Sequence, residues 1–181
     1  MENEKKIVGR CPKCGGNVVK TCKGFRCENS IGDNPSCNLN INGILGNRKM
    51  SDDEITELLT NRRIMLDGFM SKEGKAFPTV LELTDNGEVL MQSVIGKCPN
   101  CGGDIRVGNR AFNCSNFTNQ TSKCEFSIWR NIGGHQLTLT EAQEICEKGI
   151  TSAELEMYRD DGSVYRKRLG LSPDKLQIVK I

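Results

Sequence analysis

One cysteine pattern occurs twice in this chain. Cys11, Cys14, Cys27 and Cys37 read C-x2-C-x12-C-x9-C, and Cys98, Cys101, Cys114 and Cys124 repeat that spacing at a constant offset of 87 residues. Four identities at one offset signal an internal duplication. The duplication predicts two units of the same plan, residues 1–92 and 93–181. Each is small, and aromatic residues make up only 5% of the chain, so neither unit can depend on its hydrophobic core alone. A C-x2-C turn followed by two cysteines from a hairpin and a strand suits four thiolates around one tetrahedral Zn²⁺. Two alternatives stand beside zinc. The ten cysteines could form disulfides, and cysteine quartets also hold iron–sulfur clusters, although the usual spacings there differ. Met1 to Arg10 (MENEKKIVGR) reads as a polar tail without the apolar stretch of a secretory signal. A reducing, cytoplasmic setting is therefore expected, where closely spaced cysteines bind metal. The expectation is two structural zinc ions, each worth on the order of 10 kcal/mol to its unit.

Between and behind the cysteines the two halves follow one order. Gly9 to Gly16 (GRCPKCGG) and Gly96 to Gly103 (GKCPNCGG) are knuckle turns, whose backbone N–H groups can face the thiolates. Asn17 to Cys27 reads as a hairpin turning at Lys23 and Gly24, and its counterpart turns at Gly108 and Asn109. Polar loops follow at Glu28 to Ser36 and Ser115 to Lys123, and Asn38 to Asn42 reads as a strand. Ser51 with Glu54, and Thr138 with Glu141, are capping boxes at the same offset, each opening a helix; the second helix ends near Gly149. Ile64 to Leu83 is a hairpin around SKEGK, and a strand follows the Asn86–Gly87 turn. Ala153 to Leu169 is a hairpin around RDDG, with a last strand over Leu176 to Ile181. The predicted fold class is α+β: two tandem four-cysteine zinc-ribbon units, each followed by one helix and a β-hairpin, joined across Gln92 to Ile95.

Each repeat serves as the control for the other. Val18 and Ile105, Phe25 and Phe112, Leu39 and Phe126, and Ile41 and Ile128 are apolar in both, which assigns all eight to the cores beneath the metal sites. Trp129 lies opposite Asn42, so the shared fold does not require an aromatic residue there. Strand alternation turns it away from Phe126 and Ile128, where it could stack on an unpaired base. Nine cations between Lys5 and Lys49 face only Glu28 and Asp33. Such a bias either draws a polyanion or offsets the thiolate charge. On the first reading Lys20, Lys23, Arg26, Arg106, Arg110 and Arg130 contact phosphates. Cys22 and Cys146 lack a cysteine partner in the other repeat and are read as a free thiol and a small buried residue; His135 is read as a surface residue. There is no nucleophile beside a base, no phosphate loop and no three-ligand zinc site with an open position, so an enzyme is not expected. No apolar run reaches the roughly 18 residues of a membrane span.

The order of motifs resembles the C-terminal repeats of bacterial type IA topoisomerases, particularly those of topoisomerase III type. The likeness is carried by GRCPKCGG with Cys27 and Cys37, LDGFMSKEGKAFPTVLEL (Leu66 to Leu83), GKCPNCGG, CEFSIWR (Cys124 to Arg130) and LTLTEAQEICEKG (Leu137 to Gly149). The resemblance implies a zinc-ribbon tail that helps hold single-stranded DNA and in some family members contacts RNA polymerase; the residues leave DNA and RNA both open as ligands. The rival reading is a protein-interaction adaptor or inhibitor that docks a topoisomerase, a nuclease or RNA polymerase. The family's acidic metal site and tyrosine nucleophile have no counterpart here, and neither Tyr158 nor Tyr165 inherits a catalytic role. Asn42 departs from the aromatic residue the pattern favours.

Overall fold

The computed structural model describes residues 6–119, 121 and 123–181. The expected polar tail over residues 1–5, and Gln120 and Ser122 of the second polar loop, lie outside the described residues. The architecture is mixed, with two helices and several small antiparallel sheets among the described residues. Chain contacts divide it into two compact units, Met1–Gln92 and Ser93–Ile181.

In the first unit β1 (Ile7–Arg10), β2 (Asn17–Lys20), β3 (Gly24–Cys27) and β4 (Asn40–Asn42) form one antiparallel sheet in that order. Part of the expected tail is thus a strand: β1 pairs with β2, and Val8 is buried. Two short strands, β5 (Ile44–Leu45) and β6 (Arg48–Lys49), lead to α1 (Asp52–Asn61). The Ser51 side chain accepts from the Glu54 N–H while the Glu54 carboxylate accepts from the Ser51 N–H, so both halves of the capping box are made. The helix buries Ile55, Leu58 and Leu59. Leu59 crosses β1 so closely that a Cβ on Gly9 would lie 2.9 Å from its Cδ1. Arg62 ends the helix in the left-handed region, at φ 64°. Beyond it β7 (Arg63–Met70), β8 (Ala76–Leu83) and β9 (Val89–Gln92) form a three-stranded sheet.

The second unit repeats the pattern with local changes. Its first sheet is β10 (Val94–Lys97), β11 (Asp104–Val107), β12 (Ala111–Cys114) and β13 (Ser127–Trp129). The stretch read as a joint therefore already contains the start of a strand. After β14 (Asn131–Ile132) and β15 (His135–Gln136), α2 (Leu139–Lys148) carries the Thr138–Glu141 capping box and ends on Gly149 at φ 76°. Gly96 lies under Cys146 as Gly9 lies under Leu59, with 3.2 Å from an added Cβ to the Cys146 Cβ. Behind the helix stand two separate pairs, β16 (Leu155–Tyr158) with β17 (Val164–Lys167), and β18 (Leu169–Leu171) with β19 (Ile178–Lys180). All eight residues matched between the repeats are 2% exposed or less.

The capping glutamates have partners that the sequence did not reveal. In the first unit Arg48 donates to both oxygens of Glu54, at 2.9 and 2.5 Å, and its guanidinium lies 5.4 Å from the centre of the Phe69 ring. At the equivalent place in the second unit the His135 Nε2 stands 3.0 Å from Glu141 Oε2. Arg48 holds the Glu54 carboxyl down from 4.5 to about 2. A carboxyl lowered on folding stabilises fully above its unfolded value and loses that contribution as pH falls towards the folded one, here between about 4.5 and 2. The pair is partly open to water, so screening leaves about 1 kcal/mol of that shift as stability at neutral pH. Chemical denaturation should show Glu54→Gln weakening the first unit by about 1 kcal/mol at pH 7, with the gap to wild type closing as pH falls below 4.5. A gap that stays constant with pH would show that the ionised pair does not matter.

Candidate metal centres and outward face

Both cysteine quartets close in space. Within each, the four sulfurs lie within 4.8 Å of one another. Cys11 and Cys37 are 3.7 Å apart, Cys14 and Cys27 3.4 Å, Cys98 and Cys124 3.8 Å, and Cys101 and Cys114 3.4 Å. Four sulfurs at about 2.3 Å from a common tetrahedral centre would stand about 3.8 Å apart, so each donor set fits one divalent ion with thiolate preference. A disulfide needs about 2.05 Å.

Local backbone geometry builds each cage. The Cys11 N–H donates to the Gly16 carbonyl at 2.7 Å and the Gly15 N–H to the Cys11 carbonyl at 2.9 Å, a turn that requires Gly15 at φ 74°. Cys98, Gly102 and Gly103 reproduce it, with Gly102 also at φ 74°. The Gly16 N–H draws the Cys14 thiol down to about 6, helped by Cys27 and Asn29. The Gly103 N–H likewise lowers Cys101 to about 7, with Cys114, Cys124 and Asn116 adding to it. Burial pushes Cys11, Cys27, Cys98 and Cys114 up, a cost that a cation at the centre would offset. Sequence reading missed the amides around the sulfurs. Asn29 donates to Cys14 and Asn116 to Cys101, both at 3.4 Å. They are aligned at the same 87-residue offset, and that identity was the available signal. Such outer contacts orient metal ligands and tune their charge. Four thiolates leave no open position for a substrate or water, so a metal held here would be structural.

Cys22 is exposed and stands outside both cages. Cys146 is half-buried against Gly96, and burial pushes its thiol up to about 12.

The residues expected to face a phosphate fall into three groups. Lys23, Arg26, Arg106 and Arg110 are exposed, although Arg26 donates to the Ser30 carbonyl and Arg106 lies 3.8 Å from Asp104. Lys20 is exposed but tied to Asp52 at 2.6 Å, an acid that also takes Lys6 at 2.7 Å. Arg130 departs from expectation. Its side chain is buried, and its guanidinium donates to the carbonyls of Gly108 and Asn109 at 3.4 and 3.5 Å. Turned beneath the β11–β12 turn, it holds that turn rather than facing solvent. Trp129 lies on the edge strand β13 and is 59% exposed. It borders a groove of 600 Å³ that Ser127, Asn131, Leu176 and Gln177 also line.

The first unit joins its fourth cysteine to one helix and a three-stranded sheet. Residues 36–92 match the family model of the C-terminal repeat of topoisomerase. The matched topoisomerase repeat begins beside Cys37, takes in α1 and ends with β9, and covers less than half of the chain. No curated protein and no solved structure matches the chain. Among the described residues no helix is long and apolar enough to cross a membrane.

Proposed function

We propose that this chain is a non-catalytic, zinc-binding module that holds single-stranded nucleic acid. On this reading its two units are tandem zinc ribbons, each carrying one helix and a hairpin. Zinc is the metal that closed four-thiolate cages of this spacing favour. The observation that carries the binding reading is Trp129, more than half exposed on an edge strand whose neighbours Ile128 and Phe126 are fully buried. Burial in this fold gives no reason for an aromatic residue there, and every base offers a face for stacking. Lys23, Arg26, Arg106 and Arg110 supply exposed positive charge for the phosphates. Arg130 contributes indirectly by fixing the turn that carries Arg110.

Fluorescence anisotropy with labelled single-stranded and duplex oligonucleotides, over a salt series, tests the proposal. Affinity for the single strand should exceed that for the duplex and should fall steeply with salt. Trp129→Ala should weaken single-strand binding by about 1 to 3 kcal/mol, roughly 5- to 150-fold, while thermal stability stays within about 0.5 kcal/mol. Unchanged affinity in this variant would remove the stacking site. The alternative is an adaptor that docks a DNA-processing enzyme or RNA polymerase. Leu90 and Met91, each 41% exposed on the edge strand β9, favour it. A nuclease-resistant protein complex lost on Leu90→Asp, together with oligonucleotide binding undetectable at low salt, would establish that reading instead.

A further inference from the structure

Position 43 of the first unit aligns with position 130 of the second, and the two backbones are held alike. The Gly43 N–H donates to the Lys23 carbonyl at 3.0 Å, and the Gly43 carbonyl accepts from the Met50 N–H at 2.9 Å. In the second unit Arg130 makes the same pair of bonds, with the Arg110 carbonyl at 2.9 Å and the Leu137 N–H at 2.7 Å. The side chains differ completely. Arg130 fills the space beneath the β11–β12 turn, whereas Gly43 carries no side chain there and packs closely on the facing backbone, a Cβ on it falling 3.2 Å from the Gly24 Cα and 3.3 Å from the Lys23 carbonyl oxygen. What remains is a groove of 660 Å³ beside the β2–β3 turn.

Its lining specifies a type of ligand. Lys20, Lys23 and Lys49 stand around it, no acidic residue lines it, and Ile44 supplies the exposed apolar surface, with Phe25 and Met50 buried behind it. Ile44 is 65% exposed. Lys20 is already engaged by Asp52, but Lys23 and Lys49 make no ion pair among the described residues. A surface combining apolar walls with uncompensated ammonium groups suits a ligand that joins a flat apolar body to an anion. An unpaired nucleotide has that composition: its base would lie along Ile44 and its phosphate against Lys23 and Lys49.

We infer that the open groove of the first unit is a second nucleotide-binding site, unlike the Trp129 face in construction and kept accessible by Gly43. This inference rests on the single-strand reading above and adds a place on the chain where that reading assigned only charge. Each unit then offers nucleic acid a site of its own construction, a lysine-rimmed groove in the first and an exposed indole in the second.

Gly43→Arg supplies a test in which two explanations predict opposite signs. A Cβ at this position would lie 3.2 Å from the Gly24 Cα, so the turn backbone must give by a few tenths of an ångström, and binding is compared only in protein that keeps its metal content and melting midpoint. If charge alone governs binding, the added cation should tighten it. If the groove receives a nucleotide, an arginine packed as Arg130 is packed should block it. We expect a labelled oligothymidylate to bind Gly43→Arg about tenfold more weakly than wild type. The double variant Lys23→Gln/Lys49→Gln alters only exposed side chains and leaves the groove open. It should weaken binding and reduce the magnitude of the salt slope by about 1.4, two phosphate contacts at about 0.7 each. Gly43→Arg binding as tightly as wild type or more tightly, or an unchanged salt slope in the double variant, overturns the groove while leaving the Trp129 proposal standing. A wild-type protein with no affinity for the oligonucleotide overturns both.

Discussion

On the zinc-ribbon proposal, replacing Cys27 with serine is expected to reduce the metal content from two ions per chain to one and to unfold the first ribbon while the second keeps its structure. Cys27 ends β3, pairs in register with Val18 and is fully buried. A serine hydroxyl does not ionise near neutral pH, so three thiolates and a buried neutral group would remain where the cage needs four anionic donors. A structural zinc is worth on the order of 10 kcal/mol, comparable to the entire stability of an ordinary domain. No local repacking can replace that. Metal quantification reads the first part of the prediction, and amide hydrogen exchange resolved between the units reads the second. Cys22→Ser is the control: Cys22 is exposed and lies outside both quartets, so zinc content should stay at two. If Cys27→Ser also retains two ions, the first quartet is not the metal site.

The parts of this fold that were legible in the sequence are those fixed within a few residues of chain. Each knuckle needs a glycine at positive φ immediately after its second cysteine, and each capping box closes over four consecutive residues. Both can be read without knowing what packs above them. Pairings between distant segments were not legible in that way. Ile7 and Val8 are too short an apolar run to reveal a strand, and β1 exists because β2 and α1 lie beside it. Lys20 looked like an uncommitted cation because Asp52, which holds it, is 32 residues further on. Arg130 could have been read differently. It stands opposite a glycine in the other repeat, and a long side chain added at a position with backbone on both sides must either leave the fold or fill it. Here it fills it, and the charge read as a phosphate contact became support for a turn.

Phe112→Ala is expected to destabilise the second unit by about 3 to 5 kcal/mol and to leave single-strand affinity unchanged in the fraction that stays folded and metal-loaded. Phe112 sits mid-strand in β12, opposite Ile128 on one side and Val107 on the other, and none of its surface is exposed. Phe25 holds the corresponding place in the first unit. The ring of Phe112 therefore cannot reach a base without the sheet opening, and its removal leaves a cavity in the core of the second unit. Trp129 faces the other way, one residue beyond Ile128, and its removal opens no core. The two substitutions should accordingly separate: denaturation midpoints move for Phe112→Ala and hold for Trp129→Ala, while oligonucleotide affinity, measured at matched metal loading, holds for the first and falls for the second. A loss of binding in Phe112→Ala as large as in Trp129→Ala would mean that the strand binds through an opened sheet. The residues common to both repeats would then be recognising the ligand as well as supporting the fold.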